Sequence, residues 1–361
     1  MKIWLDLRFI ADNIYSTFVI EVVKGIIEKD IESNFTLYTN RHLDWFVFQN
    51  VVQKIVWIKN FTLKEQTTYL KILKHDNNSL MLFFNHYKPI FYAWIYFILL
   101  PSLKDIYYSN FNSSLEKYTY LYLLEKNLKK SEKIICLDIH TIDELIEKYN
   151  IEERKIKTLQ WFFPNIHDND IGEELKINIK TKYGIKSNFF IYSGWEWVEK
   201  NYEKLVHVFN KLKNDWLDIN LVFLWEAISK NVSLRNIIIN LDIQNHVHFI
   251  WIIKQNEKVL FYKESMWVIF PSLYEPFPFR LSEPLHFNTP IISSDLKNIH
   301  NIFWNSLKYF SAISVNNIYE NIKKYINSID TEKHEFKDTY KQIKSKYSKE
   351  KTIEQLLEIL K

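Results

Sequence analysis

The hydrophobic pattern switches period along the chain in a regular way. MKIWLDLRF predicts a strand, and residues 16–29 follow with Val19, Val22, Val23 and Ile26 at helical spacing. FTLYT predicts a second strand, residues 42–50 a helix, VVQKIVWI a third strand and residues 63–74 another helix. LMLFF, IYFILL, KIICL and KIKTLQW are further strands, with helices over residues 115–130 and 141–149. Strands that alternate with helices imply a parallel sheet. Polar residues 164–178 interrupt the pattern, so a first domain is expected over residues 1–165 and a linker over 166–186.

The alternation then restarts over residues 187–330. NFFIYSG, INLVFLW and VHFIW predict strands, with helices over residues 201–213, 231–241 and 256–263. The apolar run 266–270 ends at Pro271-Ser272, which reads as a buried parallel strand running into a loop. That loop carries Glu275, a short helix-like segment carries Glu283, and Thr289-Pro290-Ile291-Ile292 reads as the next strand. LKYF and a helix over residues 317–328 follow, and residues 331–361 form a lysine-rich helical tail.

Two carboxylates therefore flank one strand–loop–helix corner. Ligands of open α/β sheets sit at the carboxyl ends of strands. A helix N-terminus offers free N–H groups to a phosphate there, and a carboxylate accepts hydrogen bonds from sugar hydroxyls. The seven residues between Glu275 and Glu283 let them address opposite ends of one ligand, without the shared proton of a closer pair.

Pro271-Ser272, Tyr274-Glu275, Phe277, Leu281, Glu283 and Thr289-Pro290-Ile291-Ile292-Ser293-Ser294 resemble the donor-site signature of retaining glycosyltransferases of family 4, the glycosyl transferases group 1. The resemblance implies the GT-B fold, an α/β architecture of two Rossmann-like domains with parallel sheets facing across a cleft. It also implies that the C-terminal helices cross back to the first domain. In function it implies transfer of a sugar, with retention, from a nucleotide diphosphate to a glycan or lipid-linked acceptor in cell-surface polysaccharide synthesis. Glu283 would hold the ribose diol and Glu275 the hydroxyls of the transferred sugar, with Phe277 and Leu281 completing the donor signature. In GWEWVEKN, Gly194 and Lys200 match the family's phosphate-contacting turn, with Trp195 where the family often has arginine. Arg280, where the family usually has proline, is placed to supply that charge. His86, after LMLFF, loosely matches a histidine near the reacting sugar, and Asp6 and Arg8 match the family's first-strand pattern. The glycine-rich acceptor loop is replaced by Ala11-Asp12-Asn13-Ile14-Tyr15, so the acceptor site does not carry over. Pro276 and Pro278 stand where the family has glycine, and neither has an N–H to donate. They leave open a non-catalytic nucleotide-sugar-binding protein, with a GT-B sugar-nucleotide epimerase as a third reading. No metal or cofactor is expected, the nucleotide-sugar being a substrate.

Composition narrows the setting. The formal charge of +4 is not clustered as nucleic-acid binding requires, but it permits weak attraction to an anionic membrane face. The single cysteine, Cys136, excludes an intrachain disulfide and fits a reducing compartment. Asp6 and Arg8 interrupt the first apolar run, so no secretory signal is read, and a cytoplasmic protein peripheral to the membrane is expected. The longest charge-free apolar stretch, residues 89–103, is too short to span a bilayer.

One count is abnormal: 4 glycines against 12 tryptophans. Trp4, Trp161, Trp225, Trp251, Trp267 and Trp304 are read at strand ends or turns where the resembled family commonly has glycine, and Trp195 and Trp197 crowd the phosphate turn. Some bacterial lineages read UGA as glycine where other codes read tryptophan, and these residues are expected to be glycine in the native protein. Trp45, Trp57 and Trp216 are consistent with genuine aromatics.

Overall fold

A computed structural model describes residues 1–11, 14–76, 79–108, 111, 113–163, 178–194, 198–215, 218–224, 230–250, 255–326 and 341–361. The chain forms two compact units, Met1–Pro164 with Tyr347–Lys361, and Asn165–Lys346.

The first unit is built on a seven-stranded sheet, β1 (Lys2–Leu7), β2 (Asn34–Thr39), β3 (Val51–Ile55), β4 (Leu80–Phe83), β5 (Tyr96–Leu100), β6 (Lys133–Cys136) and β7 (Ile156–Thr158), in the order 3-2-1-4-5-6-7. Every pairing is parallel. The central strands β4 and β5 are buried along their whole length, as a sheet covered on both faces requires. Helix Ile14–Lys29 covers one face and buries Phe18, Val19, Val22, Val23 and Ile26 completely. Helix Ser114–Lys130 starts where the Ser113 side chain accepts from the Glu116 N–H, a local cap that its sequence encodes.

Two expectations are corrected here. Residues 42–50 form no helix, because the Gln53 amide of β3 exchanges hydrogen bonds with Leu43 and also donates to the Phe46 carbonyl. The helix expected over 63–74 contains a π-turn at Glu65–Tyr69, and both of its end residues face inward onto Arg8. Residues 164–177 lie outside the described residues, but the end of the expected linker is the short helix Ile179–Tyr183, closed by Gly184 at φ 68°.

The second unit repeats the winding with β8 (Asn188–Tyr192), β9 (Ile219–Phe223), β10 (Val247–Phe249), β11 (Trp267–Phe270), β12 (Ile291–Ser294) and β13 (Lys308–Phe310), in the order 10-9-8-11-12-13. Both orders are doubly wound, and each reverses direction at one point, between β1 and β4 or between β8 and β11. No helix among the described residues is long and apolar enough to cross a membrane.

The tail returns to the first unit as helix Lys349–Leu360, which packs on helix Ile14–Lys29. Lys29 and Glu354 pair at 2.7 Å, and the Gln160 N–H donates to Gln355 at 2.9 Å. Gly25 permits this approach: a Cβ there would lie 2.0 Å from Ile353 Cδ1. A mid-helix glycine costs roughly 0.5–1 kcal/mol relative to alanine, so close packing is what justifies it. Replacing Gly25 with Leu is expected to destabilise by about 1–3 kcal/mol in denaturant unfolding, and Ile353→Ala in that background to recover part of the loss. An unchanged midpoint for Gly25→Leu would show that the two helices do not pack this closely.

The tryptophans divide. Trp4 lies within β1, paired in register with Thr36 and Met81, and Trp267 is fully buried in β11 with its indole N–H unpartnered. Trp161 stacks on Tyr347 at 4.8 Å. Neither Trp4 nor Trp267 is at a turn, because each is held in extended strand backbone. Trp304 differs: it closes helix Lys297–Phe303 at φ 46° and ψ −128°, a conformation natural to glycine and strained for an indole residue. Trp195, Trp197, Trp216, Trp225 and Trp251 lie outside the described residues. Trp304→Gly is expected to raise stability by about 1 kcal/mol, net of the Lys346 ammonium 4.3 Å over its ring, and the thermal midpoint by a few degrees. A lowered midpoint, or a UGG codon at this position in the gene, would remove Trp304 from the glycine reading.

Candidate active site

The switch point of the second unit brings its candidates together. β8 and β11 are adjacent parallel strands, although more than 70 residues separate them. The segment after β8 carries Gly194 and Lys200, and the segment after β11 carries Glu275, Arg280 and Glu283, so pairing these two strands assembles the crevice.

The two segments are also tied to each other. Within the turn Val198–Lys200 the Glu199 carbonyl accepts from the Leu273 N–H at 2.7 Å. Asn201, at φ 56°, caps helix Tyr202–Asn214 in a left-handed conformation that asparagine tolerates. Its side-chain amide donates to the carbonyls of Pro271 at 3.1 Å and Ala312 at 3.0 Å. Asn298 donates to the Glu275 carbonyl. Gly194 is needed for packing: a Cβ there would meet the Tyr192 hydroxyl at 2.3 Å, so its absence lets that phenol lie under the crevice.

Lys200 and Glu275 form an ion pair at 2.5 Å, with side chains only 8% and 9% exposed. Glu283 opens the short helix Ser282–His286 and pairs with Lys258 at 2.5 Å, and the Tyr262 hydroxyl donates to it at 2.9 Å. Arg280 is half-buried. Desolvation lowers its pKa, opposed first by the negative charge of Glu275 and more weakly by that of Glu283. Phe277 is buried, with its ring 5.5 Å from Phe279. Leu281 is fully buried.

His86 belongs to the first unit, beyond β4 at that unit's own switch point. It lines a cavity with Phe61, Glu65, Lys88, Tyr120 and Asn127. Its Nε2 is buried without a partner, and burial pulls its pKa down to about 3, so the ring is neutral at physiological pH. Burial also lowers the neighbouring Lys88 to about 7. Asp6 and Arg8 are structural: Arg8 pairs with Asp6 at 2.7 Å and Glu65 at 2.8 Å and lies over Tyr69.

Sequence reasoning missed Lys258 and Tyr262. Their spacing of four on one predicted helix, just ahead of the signature strand, was the available signal. No group of three or more His, Cys, Asp or Glu among the described residues could hold a metal. The chain's one Asp-x-Asp triplet, Asp168-Asn169-Asp170, lies outside the described residues.

Comparison with known proteins bears on the fold. Residues 175–346 match the family model for glycosyl transferases group 1. The O-antigen chain mannosyltransferase RfbU of Salmonella typhimurium is 23% identical over 239 residues, which are 66% of this chain and 62% of that protein. The chain thus covers less than two thirds of that relative's length. Anabaena HepE, solved in complex with UDP-glucose, superposes with a TM-score of 0.73 at 10% identity, covering 100% of this chain and 99% of that one. WaaG, a glycosyltransferase of lipopolysaccharide biosynthesis, superposes with a TM-score of 0.72 at 13% identity, again over 100% and 99%. The chain has the GT-B fold of the glycosyltransferases, and its second unit carries the crevice within a stretch that matches the glycosyl transferases group 1.

Proposed function

We propose that this protein is a retaining glycosyltransferase of family 4, moving a sugar from a nucleotide diphosphate to a glycan or lipid-linked acceptor in cell-surface polysaccharide synthesis. The observation that carries the reading is the pair Glu275 and Glu283, with Lys200 and Arg280 beside them, at the β8–β11 switch point. In this reading Glu283 accepts from the ribose diol and Glu275 from hydroxyls of the transferred sugar, while Lys200 and Arg280 stabilise the diphosphate. Similarity to an O-antigen mannosyltransferase supports a polysaccharide acceptor, and similarity to HepE supports a UDP-type donor. The protein works in the cytoplasm, where its mild positive charge permits weak attraction to an anionic membrane face, and it uses no cofactor.

The chemistry is a front-face displacement. The bond from the anomeric carbon to the diphosphate oxygen breaks, with its electron pair leaving on the phosphate. The acceptor oxygen bonds to the same face of that carbon, and its proton passes to the departing phosphate oxygen. No protein nucleophile is needed, unlike the carboxylate of a retaining glycosidase. His86, with its neutral ring, acts as a hydrogen-bonding group and not as an acid near neutrality.

Incubation with UDP- and GDP-sugars and candidate glycans should release nucleoside diphosphate and give a product whose anomeric configuration, read by NMR, matches the donor's. An inverted product would overturn the mechanism. Nucleotide binding without turnover would instead favour the non-catalytic binder, consistent with the N–H groups that Pro276 and Pro278 lack.

Glu283→Gln keeps size and removes charge. Charge-assisted hydrogen bonds are worth roughly 1.5–3 kcal/mol, so nucleotide affinity should fall about ten- to a hundred-fold in calorimetric titration. Unchanged affinity in a folded variant would remove Glu283 from the donor site. Transfer is also expected to persist in excess chelator, because Lys200 and Arg280 already provide positive charge. Activity lost on chelation and restored by manganese would point instead to Asp168-Asn169-Asp170.

A further inference from the structure

Glu283 does not meet the crevice alone. Lys258 and Tyr262 lie one turn apart on helix Gln255–Glu264, the spacing at which helix side chains are neighbours, and both reach its carboxylate. Tyr262 is fully buried, and its hydroxyl also lies 3.2 Å from Ser193 Oγ, just beyond β8. Lys258 and Glu283 remain 21% and 22% exposed, so this pair keeps an open edge where the Lys200–Glu275 pair does not.

We propose that Lys258 is a positioning residue for the ribose contact: with Tyr262 it fixes the Glu283 carboxylate in the orientation that receives the donor's ribose diol. The proposal rests on the donor-site reading above. An ionised carboxylate offers about four lone-pair positions on its two oxygens. Lys258 lies 2.5 Å from both oxygens and Tyr262 2.9 Å from Oε2, so the two side chains hold the carboxylate by three contacts and the ribose diol meets its remaining, exposed edge. A glutamate side chain that a ligand must itself order weakens binding, whereas one ordered beforehand does not. Tyr262 alone secures a single oxygen and leaves the carboxylate free to swing toward Arg280, whose charge already feels it. Lys258 opposes that swing from the helix side, and its ammonium balances the carboxylate so that the site keeps its charge without drawing in another cation.

The test separates ordering of the carboxylate from general support of the fold. UDP and GDP, each with its 2′,3′-dideoxy counterpart, are titrated calorimetrically into the wild-type chain, Lys258→Met and Lys258→Arg, with thermal unfolding recorded for all three. For the nucleotide that binds, Lys258→Met should bind the ribonucleotide about tenfold more weakly and the dideoxy analogue no differently from wild type. Lys258→Arg should recover most of the ribonucleotide affinity. Equal weakening of both nucleotides would make Lys258 a merely structural residue and overturn the proposal, as would unchanged or tighter ribonucleotide binding. Failure of the wild type to bind either ribonucleotide would overturn the donor-site reading itself, and this proposal with it.

Discussion

An ammonium and a carboxylate withdrawn from water are tolerated only when each answers the other, because the desolvation cost of a lone buried ion amounts to several kcal/mol. Lys200 and Glu275 meet that condition across the β8–β11 crevice, and the surrounding backbone is arranged to keep them together. The left-handed Asn201 ties the turn that carries Lys200 to the end of β11, and Leu273 ties the loop that carries Glu275 back to the same turn.

The first unit shows the same architecture with charge put to a different use. Its sheet has the same central order, and charged residues again gather beyond β1, at the switch point. There Arg8, Asp6 and Glu65 close on one another with the Arg8 and Glu65 side chains each 1% exposed, and the π-turn Glu65–Tyr69 seals them with an aromatic ring. That cluster staples the β3–β4 crossover to the sheet and leaves little surface for a ligand. The Lys258–Glu283 pair of the second unit is partly open, whereas this cluster is closed to solvent.

Much of the fold was legible before any coordinates. Continuous apolar runs and a period near 3.6 recur because the central strands are buried on both faces and the helices on one, so burial writes itself into local sequence. The exceptions have specific causes. Residues 42–50 looked helical, but Gln53 from a neighbouring strand takes the backbone groups a helix would have used. The π-turn at Glu65 is set by its attraction to Arg8, 57 residues away, and no local window contains that partner.

The sequence by itself determined the alternation of strands and helices, the restart at the second unit, and the corner carrying Glu275 and Glu283. These depend on neighbours within a turn or two, which the order of residues records directly. Only the tertiary structure decided which charges meet. Lys200 reaches Glu275 over 75 positions because β8 and β11 pair across the winding reversal, and Lys258 reaches Glu283 over 25 because a helix packs beside that pairing. It also decided that Trp304 adopts a backbone suited to glycine. Strand order is a property of the packed sheet, in which distant apolar runs compete to be buried together, and every contact that gives the crevice its charge follows from that competition.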